Sequence, residues 1–135
     1  MKILSIRTDN PQAEIGLFEA NNSSVLEAKD YLKWEAHRIL AETLLPNITD
    51  MIKKNNIEIE DLDAIVCFKG PGSFTGLRIG LSVANTLAYS LSVPIIGQDG
   101  DDWLKVATEK IVNHDNDHIV LPFYGAPVHI TQPKK

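Results

Sequence analysis

The residues best suited to chemistry lie in one run, Lys69-Gly70-Pro71-Gly72-Ser73-Phe74-Thr75-Gly76-Leu77-Arg78-Ile79-Gly80. An apolar stretch, Ala64 to Phe68, precedes it, and a helical pattern follows it. Gly70, Gly72 and Gly76 admit backbone angles that a Cβ resists, and Pro71 fixes one φ in the middle of the turn. A Gly-rich strand-to-helix turn bearing Ser73 and Thr75 can hold a phosphate on its backbone N–H groups. The same glycines can instead admit a close packing contact. Spacing excludes two nucleotide motifs. A Walker loop places four residues between its glycines and then reads Gly-Lys-Ser/Thr; here Gly70 and Gly76 are separated by five, and Leu77-Arg78 follows. A dinucleotide fingerprint wants its third glycine one residue before Gly76. A phosphate cradle at Gly70, Gly72, Ser73 and Thr75 therefore remains one option beside a structural turn.

The other candidates are weaker. His37 would need a second ligand four residues on to make a helical metal site, and that position is Ala41. His114, Asp115, Asp117 and His118 fall in a polar loop whose order matches no known metal site, and His129 lies in the tail. A two-metal nuclease needs carboxylates converging from neighbouring strands, whereas the relevant strands end in Arg7 and Lys69. Cys67 sits in an apolar run and reads as a buried thiol. No catalytic residue, metal or cofactor is expected.

The elements that must position these residues follow from periodicity. Lys2 to Arg7, Glu14 to Ala20 and Ser24 to about Leu32 read as three strands, joined at Asp9-Asn10-Pro11 and by a two-residue hairpin at Asn21-Asn22. Ala36 to Lys54 has helical apolar spacing, with Pro46 expected to kink the helix or divide it. Asn55-Asn56 closes it. Ala64 to Phe68 is the fourth strand, Thr75 to Leu91 the second helix, Val93 to Gly97 the fifth strand, and Trp103 to about Val112 a third helix. Ile119-Val120-Leu121 is expected to be a last short strand, and residues from about 122 to 135 an irregular tail. A three-strand antiparallel meander followed by alternating helix and strand gives a ribonuclease-H-like mixed α/β sheet, the half-unit of the actin-like ATPase fold, and not a Rossmann order.

Bulk properties narrow the class. The 135 residues suit one domain, with 44% hydrophobic and 23% charged residues. A formal net charge of −5 argues against direct nucleic-acid binding. One cysteine, no secretory leader and no apolar run of spanning length point to a cytoplasmic protein without a membrane segment.

On the second helix, Gly76, Gly80, Ala84 and Ala88 recur every four residues and form one smooth ridge, flanked by Leu77, Leu81, Leu87 and Leu91. Such a ridge lets a helix approach closely. The approaching element could belong to this chain or to another.

From Gly70 through Gly80, and on through Ser82, Ala84 and Ala88 to Pro94 and Gly97, the chain resembles the TsaB (YeaZ) family, which helps make threonylcarbamoyladenosine in tRNA. His37, the leucine-rich helix with Pro46, and Leu62-Asp63-Ala64-Ile65 add to the likeness, which covers about residues 1 to 110. The resemblance implies a non-catalytic subunit. It would pair with a TsaD-like catalytic subunit, which modifies adenosine 37 of tRNA, in a complex that also holds a TsaE-like ATPase. The contact would run through helices 36–54 and 75–91, and hence through His37, Leu40, Leu44, Gly76, Gly80, Leu81, Ala84, Leu87 and Ala88. The same helices could make a homodimer. A small phosphate- or nucleotide-binding enzyme using the Gly70–Gly76 turn is the alternative. Two departures stand out. The first strand ends Arg7-Thr8-Asp9 where the family has an Asp-Thr-Ser-type turn. The chain also passes from its third helix almost directly to Leu121-Pro122-Phe123-Tyr124 and Thr131-Gln132-Pro133-Lys134-Lys135, so the expectation is a single TsaB-like N-terminal lobe over residues 1–135, with a reduced or deleted second lobe.

Overall fold

The computed structural model of the chain describes residues 1–23 and 25–125. Its strands are β1 (Lys2–Arg7), β2 (Gln12–Ala20), β3 (Leu26–Glu35), β4 (Ala64–Phe68) and β5 (Ile95–Gln98). Its helices are α1 (Leu40–Lys54), α2 (Phe74–Leu91) and α3 (Trp103–Val112), with a 3-10 turn at Ile59–Asp61. The sheet order is β3-β2-β1-β4-β5. β1, β2 and β3 pair antiparallel, while β4 lies parallel to β1 and to β5. This is the mixed ribonuclease-H-like sheet that the periodicity implied.

Period two sorts the side chains into two cores. Leu4 and Ile6 of β1, Ile15 and Leu17 of β2, and Ile65 and Cys67 of β4 face α1 and α2, where they meet Leu44, Ile48, Leu81 and Ala84. Ile3, Phe18, Val66 and Ile96 face the other way, onto Trp103, Ala107 and Ile111 of α3. All five β4 residues are buried, as a strand covered on both faces requires. β3 is an edge strand, and its Glu27, Lys29, Lys33 and Glu35 put charge on that edge, which discourages pairing with another chain.

Several boundaries differ from the sequence expectations. α1 begins at Leu40 rather than Ala36, because Arg38 adopts φ 70°, a left-handed conformation no helix can continue through. His37 therefore precedes the helix. Pro46 does not divide α1. It is exposed, so the carbonyl of Glu42 that it cannot bond faces water. The β2–β3 connection is longer than a two-residue hairpin: Ala20 pairs with Leu26, and the Asn21 Oδ1 accepts from Ser23 N and Val25 N. β3 runs on to Glu35, and Ser24 lies outside the described residues. β5 is shifted, with Val93 and Pro94 before it and Gln98 within it. Ile119 to Leu121 is not a strand, since the Asn85 side chain takes both backbone groups of Val120. Residues 122–125 have no regular structure, and His129 with the rest of 126–135 lies outside the described residues.

Candidate functional site

The parallel strands β1 and β4 both point their C-terminal ends at the Gly-rich turn, where an α/β sheet commonly builds its sites. Ser73 caps α2: its Oγ accepts from Gly76 N at 3.3 Å, which satisfies one of the free N–H groups of the first turn. The Gly70–Pro71 peptide is cis, and Gly70 has φ 120°.

The glycines of this turn face the chain's own backbone. A Cβ on Gly72 would sit on Asp9, one on Gly76 would meet the Thr8 carbonyl, and one on Gly80 would overlap Thr8 Oγ1. Thr8 is 2% exposed, and its hydroxyl donates to the Gly76 carbonyl at 2.7 Å. Ser73 N donates to Asp9 O at 2.7 Å. A Cβ on Gly70 would strike the carbonyl of Phe123. Thus the turn and the first half of α2 close around Thr8-Asp9 on one side and Phe123 on the other. Of the groups read from sequence as a phosphate cradle, Gly70 packs on Phe123, Gly72 on Asp9 and Ser73 caps α2, while Gly72, Ser73 and Thr75 are exposed.

Arg7 fixes the other end of the clasp. Its Nε lies 2.8 Å from Asp9 Oδ1 and its Nη2 3.2 Å from Oδ2, a two-point ion pair. The guanidinium stands 4.0 Å from the centroid of Phe68. Hydrogen bonding to Asp9 is the main reason its pKa is raised, against the opposing cost of partial burial. The base at this position therefore holds the acid two residues on.

Of the nine residues expected at a partner contact, Leu40, Leu44, Gly80, Leu81, Ala84 and Ala88 are buried inside the chain, Gly76 and Leu87 are half-buried, and His37 is exposed before α1. The small-residue ridge is thus covered from within. The solvent face of α2 is a different set, including Phe74 (55% exposed), Arg78, Ser82 and Tyr89 (88%). On α1, Leu45 is also exposed. Arg78 is the sole charge among the 18 residues of α2.

Two depressions border these helices. One, of about 450 Å³, lies between the starts of α1 and α2 and is lined by Asn10, His37, Arg38, Ser73, Thr75 and neighbouring apolar groups. The second, of about 630 Å³, runs over α2 from Ala41 of α1 to Val120, Leu121 and Pro122. Among the described residues no group of three or more His, Cys, Asp or Glu side chains could hold a metal ion, and no helix is long and apolar enough to cross a membrane. Burial raises the Cys67 pKa far above the ordinary thiol value, with Asp117 adding to the effect, so this sulfur is held as an inert thiol.

Sequence reasoning missed Thr8 and Asp9 as the occupants of the glycine clasp, because they lie more than sixty residues away along the chain. It also missed Asn85. An asparagine in the middle of an apolar helix is a poor helix former, and that was the signal available.

Comparisons place this geometry among known proteins. A family model described as "TsaD: tRNA N6-adenosine threonylcarbamoyltransferase" matches residues 34–99. The "tRNA threonylcarbamoyladenosine biosynthesis protein TsaB" of Bacillus subtilis is 39% identical over 95 residues, covering 70% of this chain and 39% of that protein. The protein of the same name from Escherichia coli is 32% identical over 97 residues, covering 72% and 39%. The solved structure of YeaZ from Pseudomonas aeruginosa superposes with a TM-score of 0.65 at 26% identity, covering 73% of this chain and 43% of that one. The chain spans about two fifths of the length of the curated relatives it matches.

Proposed function

We infer, from the premise that over the part of the family's length it spans this chain belongs to the TsaB (YeaZ) family, that it is a non-catalytic partner subunit in the formation of threonylcarbamoyladenosine in tRNA. Its partner in this reading is a TsaD-like catalytic subunit, in a complex that also contains a TsaE-like ATPase, and its compartment is the cytoplasm. Its described residues form a lobe like the part of that family it matches. The observation that carries the reading is the outer face of α2 beside α1. On α2 this face exposes Phe74 and Tyr89, and Arg78 is the helix's sole charge, in a chain of net charge −5. A solvent-facing helix is ordinarily charged on its outer side, and a sparsely charged, partly apolar face of this kind suits contact with another protein. The buried ridge of Gly80, Ala84 and Ala88 then supports the contact from beneath, by seating α2 tightly on the sheet.

Two features favour a non-catalytic role. Cys67 is buried as a thiol, and the Ser73 hydroxyl is committed to its cap. The test is size-exclusion chromatography with light scattering on this chain mixed with the TsaD-type subunit of the same organism. A co-eluting complex supports the reading, and two independent peaks at micromolar concentration oppose it.

A second reading, a nucleotide- or phosphate-binding enzyme, is favoured by the depression near His37, Arg38, Ser73 and Thr75. Calorimetry with ATP and ADP decides it: no heat at millimolar ligand removes it.

A further inference from the structure

We propose that the pinned segment Val120–Pro122 is the second wall of the partner trough over α2, and that the helix docking there supplies a carboxylate to Arg78. The proposal rests on the reading of the α1–α2 face as a partner surface, and it adds a third element and a chemical requirement to that face.

The segment is held in place by specific contacts. Asn85 Nδ2 donates to Val120 O at 2.9 Å, and Val120 N donates to Asn85 Oδ1 at 2.9 Å, so one side chain on α2 satisfies both backbone groups of one residue. The Val120 side chain is 4% exposed and fills the space above Gly97, where a Cβ would overlap its Cγ1. Phe123 N donates to Lys69 O at 2.7 Å, and the Tyr124 ring stacks on Phe74 with centroids 5.0 Å apart.

Val120 is turned inward, whereas its neighbours are not. Ile119 is 66% exposed, Leu121 73% and Phe123 41%. Of these, Leu121 lines the trough, and a large apolar side chain presented by a pinned backbone gains from being covered. The trough between Val120–Pro122 and Ala41 has α2 as its floor, with the small side chain of Ser82 among its lining. A helix can approach closely there.

Arg78 selects the occupant. It is the one charged residue lining the trough, it makes no ion pair among the described residues, and its guanidinium lies 5.2 Å from the Phe74 centroid. Covering an unpaired guanidinium is costly unless the partner brings a negative charge. The fitting occupant is an amphipathic helix with a small or apolar face and one Asp or Glu opposite Arg78. A second copy docking α2 on α2 would not satisfy this, since α2 carries no carboxylate.

The experiment is calorimetric titration of the TsaD-type subunit with the full chain and with Leu121→Asp, Arg78→Glu and Ser82→Trp, each first checked for native circular dichroism. All three positions are exposed, so folding should survive. The proposal expects Leu121→Asp and Arg78→Glu each to raise Kd at least tenfold. If Ser82→Trp abolishes binding while Leu121→Asp binds as wild type, the segment is no wall and the inference falls, with the reading of the α face intact. Unchanged affinity for Arg78→Glu removes the carboxylate requirement. Should the variants weaken self-association and leave the mixed complex untouched, the occupant is a second copy and the proposal is overturned. If the wild-type chain does not bind at all, the underlying reading fails instead.

Discussion

Replacing Gly80 with alanine tests the clasp at its tightest point. The new Cβ would overlap Thr8 Oγ1 and lie 2.9 Å from Thr8 Cγ2 and 3.0 Å from its Cβ. Thr8 is buried at 2% exposure and tied to the Gly76 carbonyl, so it cannot swing into solvent. Overpacking of this kind costs about 1–3 kcal/mol. Displacing the hydroxyl forfeits a hydrogen bond worth about 1 kcal/mol. Against this, alanine gains about 1 kcal/mol over glycine inside a helix. The balance is a loss of about 2 kcal/mol, which for a urea slope of about 1–3 kcal/mol/M shifts the midpoint down by about 1 M. Thr8→Ala removes the obstructing oxygen and methyl, so the double variant should be more stable than the sum of the singles by at least about 1 kcal/mol. Equilibrium urea unfolding of the four proteins measures this. A neutral or stabilising Gly80→Ala, or strict additivity with Thr8→Ala, would refute the reasoning.

Other perturbations follow from the same contacts. Pro46→Ala restores a donor to the Glu42 carbonyl at an exposed helical position and should stabilise the chain by about 1–3 kcal/mol, seen as a higher Tm; a lower Tm contradicts the account. Asn85→Ala leaves Val120 N–H and C=O without their partner and should speed limited proteolysis within 119–125 severalfold while the core stays folded; equal cleavage rates count against the latch. Burial raises the Cys67 pKa, so the folded chain holds that proton more tightly than the unfolded chain does. The resulting stability is full below the unfolded thiol's value of about 8.5 and declines as pH climbs above it. Iodoacetamide at pH 8 should therefore label Cys67 only as fast as the chain unfolds, and labelling at the rate of a free thiol would disprove the burial.

The sheet was legible because its signals are local and redundant. Ala64 to Phe68 is one apolar run, and it forms a strand buried on both faces. The bounds of α3, Trp103 and Val112, were also legible. What was not legible depended on distant or backbone events. The left-handed Arg38, which starts α1 four residues late, has no compositional marker. The glycine ridge reads the same from sequence whether a partner's helix or the chain itself fills it, and only the approach of Thr8 to Gly76 and Gly80 shows that the chain does at those two positions. Residues 119–121 have strand-like composition, yet Asn85 captures the backbone groups that a ladder would need. Gly80 and Ala84 are thus buried within the chain, and the exposed face of α2 that we propose for a partner is the one bearing Arg78 and Ser82.

The central claim is that this outer face of α2 carries the subunit's contact. Ser82 is exposed in the trough floor, so Ser82→Trp fills the approach without touching the core. The decisive measurement is the affinity of that variant for the TsaD-type subunit beside the wild-type chain. The account expects a folded protein whose binding falls at least a hundredfold. Binding equal to wild type by folded Ser82→Trp would contradict it.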